Sequence, residues 1–171
     1  MGLLERLLPD EELESIFALD VERLRALGKR GIIFDLDNTL GRRGSSELDE
    51  RVLRLLTELE GAGFRIGVLS NSSLARRRIE EKLGDHPVLF SARKPRRGGF
   101  RRMLNAMGLK PDEVVMVGDQ LFTDVWGAKR LGIYAILVQP LDPHEPWHIR
   151  LGRRIARLIL KLRKLRPGCS R

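Results

Sequence analysis

Short runs of apolar, largely β-branched residues alternate along this chain with longer stretches in which apolar residues recur every three or four positions. That alternation is the pattern of strands and crossover helices that builds a parallel sheet. The runs predict five strands, at residues 31–35 (GIIFD), 64–70 (FRIGVLS), 88–91 (VLFS), 114–118 (VVMVG) and 133–138 (IYAILV). Helices are predicted over 47–61, 73–83, 98–107 and 123–131. Gly84, Gly108 and Gly132 stand just past three of them, where a left-handed closing residue is wanted. Ahead of the first strand, Pro9, Asp10, Glu11 and Glu12 read as a helix start capped by Asp10, and a second short helix begins at Asp20 and ends at Gly28. After the last strand, Pro140, Pro143 and Pro146 interrupt regular structure before a final helix beginning near Trp147. The expected fold is therefore α/β: a Rossmann-like three-layer α/β/α domain on a five-stranded, mainly parallel sheet. Three regions are expected: a helical segment at 1–30 packed on the core, the core itself at 31–139, and a proline-containing linker with a C-terminal helix at 140–171.

Charge refines this picture by its position. The chain carries a net charge of +9, and residues 147–171 hold nine Arg and Lys and no acid. Taking these nine from the 32 basic residues leaves 23 against 23 acids, so the rest of the chain is formally neutral. In the same tail Leu151, Ile155, Leu158, Ile159, Leu162 and Leu165 recur at helical spacing, which predicts a basic amphipathic helix. Such a helix either lies in an anionic membrane surface or packs its apolar stripe on the domain. No apolar run approaches the ~20 residues that span a bilayer, and no secretory signal pattern opens the chain. A single cysteine, Cys169, cannot form an internal disulfide. A cytoplasmic protein is expected, with peripheral contact at the inner membrane face through 147–171. Nothing in the pattern specifies an oligomer.

The candidate chemistry collects at strand ends. Asp35-Leu36-Asp37-Asn38-Thr39-Leu40 follows directly on the first apolar run, and in an open parallel sheet ligands bind at the carboxyl ends of strands. Asp35 and Asp37 are two apart, so in extended chain both point toward one site. Bringing two carboxylates together is costly unless a cation or proton compensates. Ser70, with Asn71 beside it, closes the second strand and offers a hydroxyl to a phosphoryl oxygen. Lys94 lies just past the third strand, its ammonium suited to a transferring phosphoryl group. Asp119 and Asp124, in GDQLFTD, close the fourth. Each piece alone has an ordinary explanation: Ser70 as a helix cap, Lys94 as a loop residue, Asp124 as a first-turn acid. Their ordered arrival at four successive strand ends sets them apart. His86, His144 and His148 have no metal spacing and read as structural or surface residues.

The set DLDNTL, LSN, KP and VGDQLFTD resembles the motifs of the haloacid dehalogenase superfamily of phosphohydrolases over roughly residues 31–138. The resemblance implies Asp35 as nucleophile and Asp37 as general acid and base. It makes Ser70, Asn71 and Lys94 phosphate binders, with Thr39 and Asp124 in support. It also implies a Mg2+ ion held by Asp35, by Asp119 and by Asp37 through its backbone carbonyl. An oxygen-only ligand set suits that ion. A carboxylate attacking phosphorus gives an acyl phosphate that water can cleave, splitting one hard displacement into two.

Many members of the superfamily carry an inserted cap, for which the segments at 40–64 and 71–93 leave no room. An open site suits a large substrate. Arg42, Arg43, Arg93, Arg96 and Arg97 follow the first and third strands and are candidates for additional anionic groups on it. The stretch LLPDEELESIFALDVERLRALGKRGIIFDLDNTL, with VGDQLFTDVWGAKRLG later, looks like the YqeG family, which is similar to mitochondrial phosphatidylglycerophosphatase. The resemblance thus implies a phosphorylated, anionic lipid substrate. Competing expectations are a phosphatase for a nucleotide, sugar phosphate or nucleic acid end, and a basic RNA- or protein-binding module. The scarcity of aromatic residues, 5% of the chain, argues against nucleic acid, because single-strand binders stack bases on aromatic rings.

Overall fold

The computed structural model describes residues 7–45, 47–73 and 76–142, together with Gly152, Arg154, Ile155 and Leu158. Its sheet has strands β1 (Glu11–Leu13), β2 (Gly31–Phe34), β3 (Arg65–Leu69), β4 (Val88–Leu89), β5 (Val114–Gly118) and β6 (Tyr134–Val138). The helices are α1 (Val21–Ala26), α2 (Glu50–Gly61), α3 (Arg76–Leu83), α4 (Arg97–Met107) and α5 (Trp126–Lys129). Strand order is β1-β6-β5-β2-β3-β4, and every neighbouring pair is parallel.

The helical starts follow from local chemistry. Asp20 and Asp49 accept hydrogen bonds from Arg23 N and Arg51 N at the first turns of α1 and α2, satisfying backbone donors that have no partner within the helix. Gly84, Gly108 and Gly132 all take positive φ, as their positions after the helices predict.

One expectation is overturned at the N-terminus. Glu11 and Glu12 do not start a helix; they run extended beside β6, with Glu11 opposite Ile136. Asp10 is an anchor, not a cap: its carboxylate accepts the Ala135 N–H at 2.8 Å and the Lys129 ammonium at 2.6 Å. The sheet therefore has six strands where five were predicted, and the first 30 residues contribute a strand to it.

Alternate residues of the central strands feed two apolar layers, as the two-residue period of a strand requires. Ile32, Phe34, Ile66, Val68, Val115 and Val117 face Val52, Leu56 and Leu59 of α2 and Ile79 of α3. Ile33, Leu69 and Met116 face Phe100, Met103 and Met107 of α4 and Ala128 of α5. The result is the expected three layers. Close approach on the α4 side needs a glycine at position 67, where a Cβ would lie 2.6 Å from Met103 Sδ.

Chain direction reverses across the sheet between β2 and β5. The chain passes from β2 outward through β3 to β4, then returns to the other side of β2. A crevice opens at such a switch point beyond the strand ends. Most of the expected final helix lies outside the described residues; the four that are described are helical, with Ile155 45% and Leu158 59% exposed.

Candidate active site

Pairing of β2 with β5 brings the ends of both strands together, with Asp35 N donating to Val117 O at 2.9 Å. From the first end come Asp35 and Asp37; from the second come Asp119 and, one turn later, Asp124. Asp35, Asp119 and Asp124 are buried, and a carboxylate oxygen from each lies within 4.8 Å of the other two. Lys94 is 94% buried in their midst. Its Nζ donates to Asp35 Oδ1 and reaches Asp124 Oδ1 at 2.8 Å.

Asp124 owes its position to two features of the following turn. Residues Leu121–Val125 form a π-helical turn where the predicted helix 123–131 begins, and Gln120 N donates to Asp124 Oδ2 at 3.1 Å. The carboxylate folds back against Gly118, where a Cβ would stand 2.5 Å from Asp124 Oδ2.

After Asp35 the chain turns sharply. Asn38 takes a left-handed φ of 68°, and its N–H donates to Gly41 O at 2.7 Å. The turn leaves Asp37 half-exposed. Gly44 N donates to Asp37 Oδ1 at 3.0 Å, and Ser70 Oγ donates to Asp37 Oδ2 at 3.2 Å. Thr39 is buried beneath the turn with its N–H on Leu36 O. Asn38 ties the chain beyond β6 to the same turn, accepting from Leu141 N at 3.0 Å through its backbone and donating from its amide to Asp142 O at 3.2 Å.

Asn71 lines the cavity and has a second engagement. Its carboxamide spans the Lys94 backbone, Oδ1 accepting the Lys94 N–H at 2.6 Å and Nδ2 donating to Lys94 O at 3.0 Å. Both ends of the amide are thus engaged in holding the lysine's main chain.

A cavity of about 360 Å3 opens over this group, lined by Asp35, Asp37, Arg43, Asn71, Ser72, Lys94, Gln120 and Thr123. That volume is in the range of small-molecule sites. Of the five arginines singled out from sequence, Arg43 lines the cavity. Arg42, Arg93, Arg96 and Arg97 are exposed and are not among its walls. Gln120 and Thr123 line it without having been singled out. They sit inside the GDQLFTD motif, and the signal that would have found them is the helical turn bringing residues 120 and 123 to one side.

The electrostatics ask for a cation. Burial pushes the Asp35 carboxyl well above the ordinary carboxylate range; Lys94 opposes this, while Asp124 and Asp119 add to it. Burial works against a charged Lys94 too, but the carboxylates of Asp124 and Asp35 outweigh it and hold the ammonium above its ordinary value. One ammonium, paired with Asp35 and Asp124, therefore stands against three buried acids. Asp35 Oδ2 is buried with no hydrogen-bond partner among the described residues. An oxygen-only donor set with an open carboxylate oxygen and surplus negative charge fits a hard divalent ion such as Mg2+.

A phosphatase class is what this fold and this strand-end set of acids define, and comparison with known proteins agrees. Residues 91–140 match a family model described as "HAD-hyrolase-like". The chain is 36% identical over 158 residues to the "Probable phosphatase YqeG" of Bacillus subtilis, covering 92% of this chain and 91% of that one. It is 33% identical over 159 residues to the chloroplastic "Phosphatidylglycerophosphate phosphatase 1" of Chlamydomonas reinhardtii, covering 86% of this chain but 59% of the algal protein. Its fold superposes on the cobalt-bound deoxy-D-mannose-octulosonate 8-phosphate phosphatase of Haemophilus influenzae with a TM-score of 0.51, at 13% identity over 80% of this chain and 90% of that one. The chain belongs to the haloacid dehalogenase superfamily of phosphatases, and within it to the family of YqeG.

Proposed function

We propose that the protein removes the terminal phosphate of phosphatidylglycerophosphate through an aspartyl-phosphate at Asp35, with Mg2+ as its ion. The reading is carried by one observation: buried Asp35, bound to Lys94, stands beside a half-exposed Asp37 on the wall of an open cavity.

In the first step an Asp35 oxygen forms a bond to phosphorus as the bond from phosphorus to the glycerol oxygen breaks. Asp37 gives that oxygen its proton. In the second step Asp37 takes a proton from water, whose oxygen attacks the same phosphorus; the acyl–phosphate bond breaks, releasing inorganic phosphate and restoring the Asp35 carboxylate. The hydrogen bonds from Gly44 N and Ser70 Oγ hold the Asp37 carboxyl toward the cavity throughout. Lys94 has three N–H donors, two of them committed to Asp35 and Asp124, which leaves one for a phosphoryl oxygen. Mg2+ bound by the Asp35 and Asp119 carboxylates would supply positive charge against the phosphoryl oxygens.

Three features favour a lipid phosphomonoester. Arg43 on the cavity wall suits a second anionic group, such as a phosphodiester. Among the described residues a single helix lies between β2 and β3 and another between β3 and β4, so an extended substrate meets no inserted cap there. The algal relative carries the name of this activity over most of the present chain. The basic tail at 147–171 is proposed as a peripheral membrane contact on its sequence alone; no helix among the described residues is long and apolar enough to cross a membrane.

The test is a panel of phosphomonoesters assayed with Mg2+, in which phosphatidylglycerophosphate in detergent micelles competes with nucleotides and sugar phosphates. The lipid is expected to show the highest kcat/KM. A sugar phosphate or nucleotide with the higher value would refute the lipid assignment and leave the phosphatase chemistry standing.

A further inference from the structure

The exposed arginines of the described residues differ in their partners, Arg101 and Arg102 of α4 having no ion pair. Away from the cavity, Arg23, Arg25, Arg30, Arg51, Arg54 and Arg77 each have a carboxylate oxygen within 3.5 Å. At the carboxyl edge of the sheet the situation reverses. Arg42 and Arg43 follow β2, and Arg93, Arg96 and Arg97 follow β4; all five are exposed, and none has an ion-pair partner among the described residues.

The same edge is poor in exposed acids. Residues 70–73 after β3 and 90–96 after β4 contain none, Asp119 and Asp124 after β5 are buried, Asp37 and Asp142 are half-buried, and Glu47 in the loop after β2 is exposed. Asp49, at the far end of the loop after β2, already pairs with Arg51. Because all strands are parallel, these loops share one edge, and it is the edge on which the cavity opens. The body ahead of the tail is formally neutral, so these five unpaired arginines make the mouth of the cavity locally positive.

One residue of the C-terminal segment comes near the same edge. Gly152 approaches Phe122, on the turn between Asp119 and Asp124, closely enough that a Cβ there would stand 3.9 Å from Phe122 Cδ2. Helical Ile155 and Leu158 follow one and two turns on, both largely exposed. Unpaired arginines around the mouth match an anionic lipid surface, where guanidinium groups meet headgroups. Single-stranded RNA would call for stacking rings among these arginines.

We infer that the arginine rim at the carboxyl edge of the sheet is a docking surface for an anionic bilayer, which seats the cavity mouth directly on the membrane. This rests on the reading of the site as one for a lipid phosphomonoester. It assigns Arg42, Arg93, Arg96 and Arg97, which do not line the cavity, a role separate from turnover. The substrate headgroup then enters from the plane of the bilayer and the lipid need not be extracted.

The experiment is sedimentation of the full chain with vesicles of phosphatidylglycerol or of phosphatidylcholine in ~0.1 M salt, for the parent and for R93A/R96A/R97A, which retains the whole tail. Each basic residue near an anionic surface contributes roughly fivefold to partition, so the triple variant is expected to bind phosphatidylglycerol about a hundredfold more weakly. The parent is expected to bind phosphatidylcholine poorly and to lose affinity as salt rises. An unchanged unfolding midpoint shows that the variant is folded. Equal binding by variant and parent, equal binding of the two lipids by the parent, or binding to single-stranded RNA that phosphatidylglycerol does not displace would each overturn the inference. Binding is read without turnover. Failure here with phosphate release intact removes only the docking surface, whereas loss of phosphate release with binding intact removes only the catalytic reading.

Discussion

Lys94 Nζ lies 2.8 Å from Asp124 Oδ1, both groups buried, and the same ammonium holds Asp35. Asp124 therefore acts on Asp35 through the lysine: it keeps Lys94 charged and in place although it stands one turn beyond the strand end.

Asp124→Asn keeps the shape and removes the charge. We expect kcat to fall by roughly 10²–10³, the cost typical of losing one charge-stabilising group, with little change in KM. Steady-state kinetics on a soluble phosphomonoester decides it; a variant with parental kcat would show that Lys94 needs no such partner.

Asn71 is expected to behave as a positioning residue. Asn71→Ala removes two hydrogen bonds to the Lys94 backbone, together about 1–3 kcal/mol. It should lower kcat on the order of tenfold while leaving KM near the parental value. A rise in KM with unchanged kcat would instead return Asn71 to the phosphate-binding role that its place in the LSN motif implies.

Gly118→Ala tests the packing beneath the site. The added Cβ meets the Asp124 carboxylate rather than the tip of a flexible chain, so overpacking should cost about 1–3 kcal/mol. Calorimetry should then record a lower unfolding midpoint, by roughly 2–4 °C per kcal/mol for a chain of this size. Activity should fall along with stability. An unshifted midpoint would mean that the turn at 121–125 yields without cost.

Tyr134 provides a pH signature far from the site. Its ring is partly buried and its hydroxyl donates to Glu11 Oε1 at 2.8 Å, so burial first, and then Glu11, push the phenol up to about 12. The folded value lies above the ordinary value of 10, so this contribution to stability is complete below pH 10 and is lost as pH rises through about 12. Parent and Tyr134→Phe should therefore run parallel in denaturant titrations below pH 10, with the parent losing stability faster above it. Parallel behaviour throughout would contradict the raised phenol.

Much of this fold was legible because β2, β3, β5 and β6 are buried on both faces and so read as apolar runs. The strand β5 matches its predicted residues, 114–118. Four strand ends then carried Asp35, Ser70, Lys94 and Asp119 to one edge, because parallel strands cannot do otherwise. β1 was not legible: its Glu11 and Glu12 favour a helix start locally, and the ladder to β6 and the anchor of Asp10 on Ala135 N span some 125 positions. Which of the five arginines lines the cavity, and that Asn71 bonds to the Lys94 backbone, were hidden for a similar reason. Both depend on which way a side chain turns after a strand ends, and that is set by contacts with another loop.

The central claim is that Asp35 carries the phosphoryl group between the two steps. Acid quenching of the full chain during turnover of a phosphorus-labelled phosphomonoester with Mg2+, followed by peptide mapping, tests it most directly. Label on the peptide containing Asp35, absent in Asp35→Asn, is the predicted result. Turnover that proceeds in Asp35→Asn, or label that maps to another residue, would contradict it.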